Sequence, residues 1–381
     1  MKEIIKQVFT DRFEGKPVIV RSPGRVNLIG EHTDYNEGFV LPASIDKAIY
    51  FAIAPNRDNV FRFYSYDLMD EYVTEIDKIE PCDKHWANYL LGVIAQFVKD
   101  GKQVMGFDCA FGGDIPIGAG LSSSAAIECG LAYAIDKMQK FGYSTMEMVK
   151  ISQKAEHEYA GVMCGIMDQF AVMHGQINKA IKLDCRSLEY ELLPVKMENY
   201  KLLLVNTGVK HSLASSEYNK RRNECAAGVK ILKKYNSSIQ SLRDVSLDFI
   251  QKHKAEFDEI VYDRCTYVIE ENIRLDAACE ALNNGDFTAF GNQMYLSHRG
   301  LKEKYEVSCV ELDLLVDIAK KTRGVLGARM MGGGFGGCTI NLVKKNAVAN
   351  FKNTILAQYK TPEGKEPEIY EVVIDGGTGL A

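Results

Sequence analysis

Between residues 105 and 140 the chain changes its hydrophobic period inside a glycine-rich turn, and few folds accommodate such a change. Residues 105–111 read as a strand. They run into G-G-D-I-P-I-G-A-G-L-S-S-S-A-A-I-E-C-G at 112–130, and from about Ser122 to Lys140 the spacing is helical. Backbone N–H groups at a helix start point outward with partial positive charge, so an anion binds there readily. Glycines allow the backbone to approach a phosphate closely. The consecutive hydroxyls of Ser122, Ser123 and Ser124 can cap the helix, or reach a metal ion or a phosphate oxygen. Capping of a buried helix is the simpler of these uses. The segment is not a Walker A loop, because no Gly-Lys-Ser/Thr follows the glycines. It is not a dinucleotide fingerprint either: Gly118 and Gly120 fit its first half, but the sixth position is Ser123.

Around this turn the first half of the chain alternates strand-like and helix-like segments. Residues 1–13 read as an amphipathic helix with Ile4, Ile5, Val8 and Phe9 on one face. Strands are expected at 18–20, 26–29, 48–54 and 60–66, and helices at 86–98 and 144–159. The second half has a buried strand at 200–205, long charged helices at 212–235 and 256–284, and further helices near Phe287 and Val310. Strands return around Ala328, Thr339 and 368–374. The pattern is α+β with mixed sheets. At about 100–200 residues per domain the length suggests two domains. The polar stretch 191–199 is the expected boundary, dividing the chain into 1–195 and 196–381.

Composition removes several classes of function. With 46 Lys and Arg against 51 Asp and Glu, the 381-residue chain carries a formal charge of −5. That balance offers no basic surface for nucleic acid. No run approaches the ~18 apolar residues of a membrane-spanning helix. The first residues lack the apolar core of a leader peptide, so a cytoplasmic protein is expected. The ten cysteines contain no C-x-x-C pair and read as reduced thiols. No His/Cys cluster has zinc spacing.

Two further segments carry chemistry. The first is S-P-G-R-V-N-L-I-G-E-H-T-D-Y at 22–35. Its short spacing lets Glu31, His32 and Asp34 present side chains from one loop. Carboxylates and an imidazole suit sugar hydroxyls, since they take hydrogen bonds in fixed directions. A polar turn between strands would look similar. The second is G-A-R-M-M-G-G-G-F-G-G-C-T-I at 327–340. Gly332, Gly334 and Gly337 match G-x-G-x-x-G literally, but the following C-T-I-N-L-V alternates like a strand, where a dinucleotide site requires a helix. A glycine loop entering a strand can still line a phosphate pocket from the opposite side.

Taken together, the three segments resemble the kinase superfamily named for galactokinase, homoserine kinase, mevalonate kinase and phosphomevalonate kinase. Residues 116–125 match its central P-x-x-G-L-S-S-A-like motif, and G-R-V-N-L-I-G-E-H-T-D-Y at 24–35 resembles the galactokinase signature. The likeness extends through A-E-H at 155–157, C-G-I-M-D-Q-F at 164–170 and H-S-L-A-S-S-E-Y at 211–218, so it spans most of the chain. It implies an N-terminal domain like domain 2 of ribosomal protein S5, a ferredoxin-like C-terminal domain and an active site between them.

The resemblance also implies roles. Asp168 would be the base that takes the anomeric proton of galactose, and Arg25 would offset charge on the transferred phosphoryl group. Glu31, His32, Thr33, Asp34, Gly165 and Tyr218 would bind the sugar. Gly118, Ala119, Gly120, Leu121, Ser122, Ser123 and Ser124 would hold the phosphates of ATP. Ser124 and Glu156 would ligate magnesium, which takes few protein ligands while keeping phosphates and waters. Ser65 and Trp86 fall where such kinases build the adenine pocket, and Lys210 where an Arg often lies near the nucleotide. His157 and His174 are expected to be structural. Small-molecule substrates and a monomer follow. The run T-D-Y-N at 33–36 favours galactose over N-acetylgalactosamine or arabinose. The complete S-S-S-A-A run and Asp168 argue against a sugar sensor without catalysis.

Overall fold

The computed structural model describes residues 1–116, 118–209 and 214–381, without the side chains of 214–216. The segment expected at Lys210 lies outside the described residues. Elements are numbered along the chain. The first half holds α1 (Lys2–Arg12), β1 (Val18–Asn27), β2 (Phe39–Val40), β3 (Pro42–Pro55), β4 (Val60–Ser65), β5 (Asp70–Glu75), α2 (His85–Lys99), β6 (Phe107–Gly113), α3 (Ser123–Gln139), α4 (Thr145–Ala155), α5 (Met167–His174), β7 (Lys179–Asp184) and β8 (Tyr190–Pro194). The second holds β9 (Tyr200–Asn206), α6 (Ala214–Leu232), α7 (Leu247–Lys252), α8 (Glu259–Asn283), α9 (Phe287–Glu303), α10 (Val310–Lys321), β10 (Val325–Met330), β11 (Cys338–Lys344), α11 (Val348–Gln358), β12 (Ile369–Val372) and β13 (Gly379–Leu380).

Two domains result. The N-terminal one is built on a six-stranded sheet ordered β13-β1-β3-β6-β4-β5, with a three-stranded sheet β2-β7-β8 beside it. Helices α2 to α5 pack together and α3 lies against β1 and β3. Phe51, Phe61, Phe63, Phe97, Phe107 and Phe170 are fully buried in its core. The C-terminal domain has a four-stranded antiparallel sheet ordered β10-β11-β9-β12. With helices between β9 and β10 and between β11 and β12, this is the β-α-β-β-α-β plan of a ferredoxin-like unit. The chain then returns to the N-terminal sheet, where Leu380 pairs with Val20 and Gly379 with Arg21.

The sequence expectations need four corrections here. The strands expected at 18–20 and 26–29 are one strand, β1, whose register shifts between Pro23 and Arg25. A strand bulge at that point keeps both halves paired to β3 while re-aiming the side chains beyond it. In α1 only Ile5 and Phe9 are buried; Ile4 is exposed, because i and i+4 share a face and i−1 lies about 100° away. The helix expected to run to 159 changes to a wider π turn at Glu156–Ala160, a feature common at functional sites. The polar stretch 191–199 contains the edge strand β8, whose outward residues can be polar because only one face is covered.

Local chemistry explains the frame. Ser144 caps α4 by accepting from the Glu147 N–H, while the Glu147 carboxylate accepts from the Ser144 N–H. At the β1 bulge, a Cβ on Gly24 would lie 2.8 Å from the Leu121 carbonyl oxygen. Glycine there lets the loop before α3 press against β1, and the Arg25 N–H donates to that same carbonyl at 3.1 Å.

Candidate active site

The bulge in β1 aims Arg25 inward, and the start of α5 aims Asp168 at it. Arg25 Nε donates to Asp168 Oδ1 at 2.7 Å and Nη2 to Oδ2 at 2.9 Å, a two-pronged pair. The third nitrogen, Nη1, donates to the Gly120 carbonyl at 2.7 Å. One guanidinium therefore ties the acid to the glycine loop. Burial opposes the charge of Arg25, but Asp168, with Glu31 and Asp34 farther off, holds its pKa above the ordinary value. The Asp168 side chain is 26% exposed, open to a ligand on one side.

A cavity of about 320 Å³ opens on this pair. Arg25, Glu31, His32, Asp34, Glu156, Gly165, Asp168 and Tyr218 line it, with Val162, Cys164, Met167, Gly332 and Gly333. Its volume suits a monosaccharide-sized molecule at the small end of ligand pockets. A larger hollow of about 460 Å³ lies by Lys179, Lys196 and Lys201, but holds no matched acid and guanidinium.

Each sugar-loop residue has a definite place. Glu31 is buried, and its Oε1 accepts from Arg329 Nη2 at 2.7 Å and from the Gly332 N–H at 2.8 Å. Arg329 is fully buried and also donates to the carbonyls of Asn27, Leu28 and Met330. His32 lies 3.2 Å from the Gly333 carbonyl through Nε2 and 2.7 Å from the Tyr35 hydroxyl through Nδ1. A carbonyl only accepts, so Nε2 carries the proton and Nδ1 accepts from Tyr35. Burial pushes the His32 pKa down to about 3, so the ring is neutral. Burial and the neighbouring Asp168 charge push Asp34 up to about 7. The Tyr218 ring stands 5.4 Å from the His32 ring and 5.2 Å from that of Tyr35.

Thr33 differs from its neighbours. Its one hydroxyl proton is shared between the carbonyls of Gly30 and Phe39, and its side chain folds the loop instead of lining the cavity. A short loop that displays three side chains needs internal hydrogen bonds, and Thr33 supplies them.

The glycine loop forms the next wall. Gly118 and Gly120 have positive φ. Ala119 and Leu121 are buried beneath it, and Gly118, Gly120 and the three serines reach the surface in part. The third motif lies opposite, as a loop between β10 and β11. A Cβ on Gly332 would come 3.7 Å from the Gly120 carbonyl and one on Gly337 would come 3.8 Å from that of Gly118. The two glycine loops thus face each other across van der Waals distance. Ser122 departs from expectation: it makes no capping bond to α3, and its hydroxyl donates to Asp168 Oδ2 at 2.5 Å.

Ser124 and Glu156 meet at the far end. Ser124 lies near enough for its hydroxyl to favour the ionised Glu156 carboxylate, and Gln169 Nε2 donates to Glu156 Oε2 at 2.7 Å. Burial, then the charge of Asp168, pushes the Glu156 pKa up to about 7. Beneath it the fully buried Glu128 is raised further, by burial and by Glu156. Carboxylates outnumber guanidinium groups here, because Arg329 serves Glu31 and Arg25 serves Asp168. That excess fits a divalent cation. Among the described residues no cluster of three His, Cys, Asp or Glu would hold one unaided. A hydroxyl and one carboxylate match a magnesium ion that keeps phosphate and water ligands.

Ser65 and Trp86 lie outside the cavity, at the end of β6 where the glycine loop begins. Ser65 pairs with Phe111, and the Trp86 ring stands 5.7 Å from that of Phe111. Trp86 Nε1 donates to Asp70 at 3.0 Å. His157 bonds the Cys164 carbonyl and His174 stacks on Phe170, both structural contacts. The ten cysteines are free thiols.

Sequence reasoning missed Arg329, Tyr35 and Glu271 as parts of the site, and Tyr305, whose hydroxyl lies 2.7 Å from that of Tyr35 and whose ring stands 4.8 Å from that of His32. Glu271, buried on α8, accepts from the Gly30 N–H at 3.1 Å and pairs with Arg274 at 2.7 Å, bracing the sugar loop. Arg329 and Tyr35 lay inside motifs already noted, and a buried Arg needs a carboxylate partner. That was the available signal. Glu271 had none.

Residues 7–55 match the galactokinase galactose-binding signature, 88–176 the N-terminal domain of GHMP kinases and 278–361 their C-terminal domain. A galactokinase of Thermotoga maritima is 42% identical over 94% of this chain and 98% of its own. One of a Roseiflexus species is 40% identical over 95% and 92%. The crystal structure of Lactococcus lactis galactokinase complexed with galactose superposes with a TM-score of 0.95 at 35% identity, covering 100% of this chain and 99% of that one. Methanococcus jannaschii mevalonate kinase shares the fold alone, with a TM-score of 0.69 at 20% identity over 95% and 99%.

Proposed function

The chain belongs to the galactokinase family of GHMP kinases, and from that membership we infer how its cavity works. The enzyme is a kinase that phosphorylates galactose with ATP. The products are galactose 1-phosphate and ADP. The observation that carries the residue assignment is the two-pronged Arg25–Asp168 pair at the junction of cavity and glycine loop.

Asp168 accepts the anomeric proton as the sugar oxygen meets the γ-phosphorus. Arg25 holds that carboxylate in line and lies close enough to offset charge on the phosphoryl oxygens. Positioning of this kind is most of what phosphoryl transfer asks of a protein. Glu31, His32, Asp34, the close approach at Gly165 and Tyr218 read the sugar hydroxyls. Thr33 acts through the loop's shape. The segment from Gly118 to Ser124 cradles the phosphates through its N–H groups and the start of α3. Ser124 and Glu156 would hold magnesium, which when bound would neutralise phosphate charge. Ser65 and Trp86 border the adenine end. We also propose that the domains divide near residue 195, with the final strand returned to the first domain, and that the protein works as a cytoplasmic monomer. Among the described residues no helix is long and apolar enough to cross a membrane.

The test is ADP release with ATP and magnesium against galactose, N-acetylgalactosamine, arabinose, glucose and mevalonate. Galactose should dominate the panel. Turnover confined to another sugar would overturn the specificity, and binding of galactose without turnover would turn the site into a sensor.

A further inference from the structure

Ser122 stands in the glycine loop, yet its hydroxyl is turned to Asp168 and makes no capping bond to α3. Its backbone has φ 56 and ψ 53, a left-handed conformation uncommon for a residue with a Cβ. Glycine adopts it without steric cost, and the same loop uses glycine for positive φ at 118 and 120. The turn alone therefore gives no reason for a serine. Among the described residues its side chain makes one hydrogen bond, a donation to Asp168 Oδ2 at 2.5 Å.

The lone pairs of Asp168 show what that bond does. An ionised carboxylate has about four acceptor positions, two on each oxygen. Oδ1 accepts one bond, from Arg25 Nε at 2.7 Å. Oδ2 accepts two, from Arg25 Nη2 at 2.9 Å and from Ser122 Oγ at 2.5 Å. Among the described residues these are the bonds that the side chain accepts, so Oδ2 is filled and Oδ1 keeps one open position.

We propose that Ser122 is a positioning residue that directs the proton transfer: by filling Oδ2 it leaves Oδ1 as the oxygen of Asp168 that takes the anomeric proton. With the two-pronged bond from Arg25 it holds the carboxylate's rotation, which in a free Asp side chain is broad. The inference rests on the reading of Asp168 as the base. In the step, the anomeric O–H proton passes to Oδ1 and the sugar oxygen forms a bond to the γ-phosphorus. The bond from that phosphorus to the β–γ bridging oxygen breaks, and its electron pair leaves on ADP. Because Ser122 belongs to the loop whose Gly120 carbonyl also binds Arg25, the loop and the base are set together.

The experiment compares Ser122→Ala and Ser122→Gly with the parent enzyme and with Asp168→Ala. Ala removes the hydroxyl and keeps the backbone constraint; Gly removes both. In both serine variants kcat should fall about tenfold or more, the scale of a mispositioned reacting group. Both KM values should stay within about twofold, because the lost bond acts after binding. Melting temperature and galactose binding by calorimetry should match the parent, which separates the effect from misfolding. Parent-like kcat in both variants would overturn the proposal. So would normal kcat in Ser122→Gly alone, since conformation and not the hydroxyl would then matter. A rise in KM for ATP with unchanged kcat would return the hydroxyl to the phosphates and also overturn it. Turnover in Asp168→Ala would instead remove the underlying reading of the base.

Discussion

The Asp34 carboxylate occupies the space that any side chain at residue 165 would need: a Cβ built on Gly165 would lie 1.8 Å from Asp34 Oδ2. The loop after the π turn and the sugar loop are thus closed on each other at one point, beside Asp168. Changing Gly165 to Ala must push Asp34 out of line. We expect KM for galactose to rise at least tenfold and KM for ATP to move little, with a stability cost of about 1–3 kcal/mol for overpacking. Steady-state kinetics with each substrate varied in turn checks this. Equal loss of both affinities would mean a general unfolding of the cleft.

Asp34 also links pH to stability. Its folded pKa is raised from 3.8 to about 7 by burial and then by Asp168. The unfolded chain gives up this proton near pH 4, while the ligand-free folded chain keeps it until about pH 7. Between those values the folded state binds more protons, so its contribution is full below pH 4 and is lost as pH rises to about 7. Asp34→Asn, which never ionises, should melt a few degrees above the parent at pH 8 and level with it at pH 4, ~2–4 °C per kcal/mol. Thermal melts of the ligand-free protein across that range decide it. A constant difference at all pH values would remove Asp34 as the cause.

Arg25→Lys keeps a positive charge but not the fork that meets both oxygens of Asp168 and the Gly120 carbonyl. A loss of about 10²–10³ in kcat is expected, with galactose binding retained. ADP release and calorimetry read the two effects separately. A variant within a factor of a few of the parent would show that charge alone suffices.

Arg329 and Glu31 make a fully buried pair across the domain junction at 2.7 Å. Arg329→Ala leaves Glu31 buried without its partner and should cost about 3–5 kcal/mol. The double variant Glu31→Gln with Arg329→Met removes the stranded charge and should recover part of that loss. Denaturant midpoints measure both. If the double variant is no more stable than the single one, the carbonyls of Asn27, Leu28 and Met330 left without their donor, and not charge burial, set the cost.

Much of the architecture was legible because periodicity and turn chemistry are local. The strand, glycine turn and helix around 105–140 appear in the order read, with the strand shifted to 107–113 so that it takes in Gly112 and Gly113, since the left-handed turn at Gly118 and Gly120 and the apolar face of α3 depend on neighbours in sequence. The single long β1 was not legible: Pro23 and Gly24 look like a break until β3 and the Leu121 carbonyl are present to hold the bulge. The motifs supplied candidates for the cavity, and most of its charged lining came from them. Glu271 stayed hidden because a carboxylate in a charged helix carries no mark of burial.

By itself the sequence determined which residues could do the chemistry and the local shapes that carry them: an acid and a guanidinium in separate motifs, a glycine loop before a helix, a second glycine loop before a strand. Only the tertiary structure decided the pairings. Glu31 meets Arg329 across 298 positions, Arg25 meets Asp168 across 143, and the Ser122 hydroxyl turns from its helix to Asp168. A hydrogen bond forms within about 3 Å and along a narrow range of directions. Packing of the domains sets which groups satisfy those limits, and spacing along the chain does not.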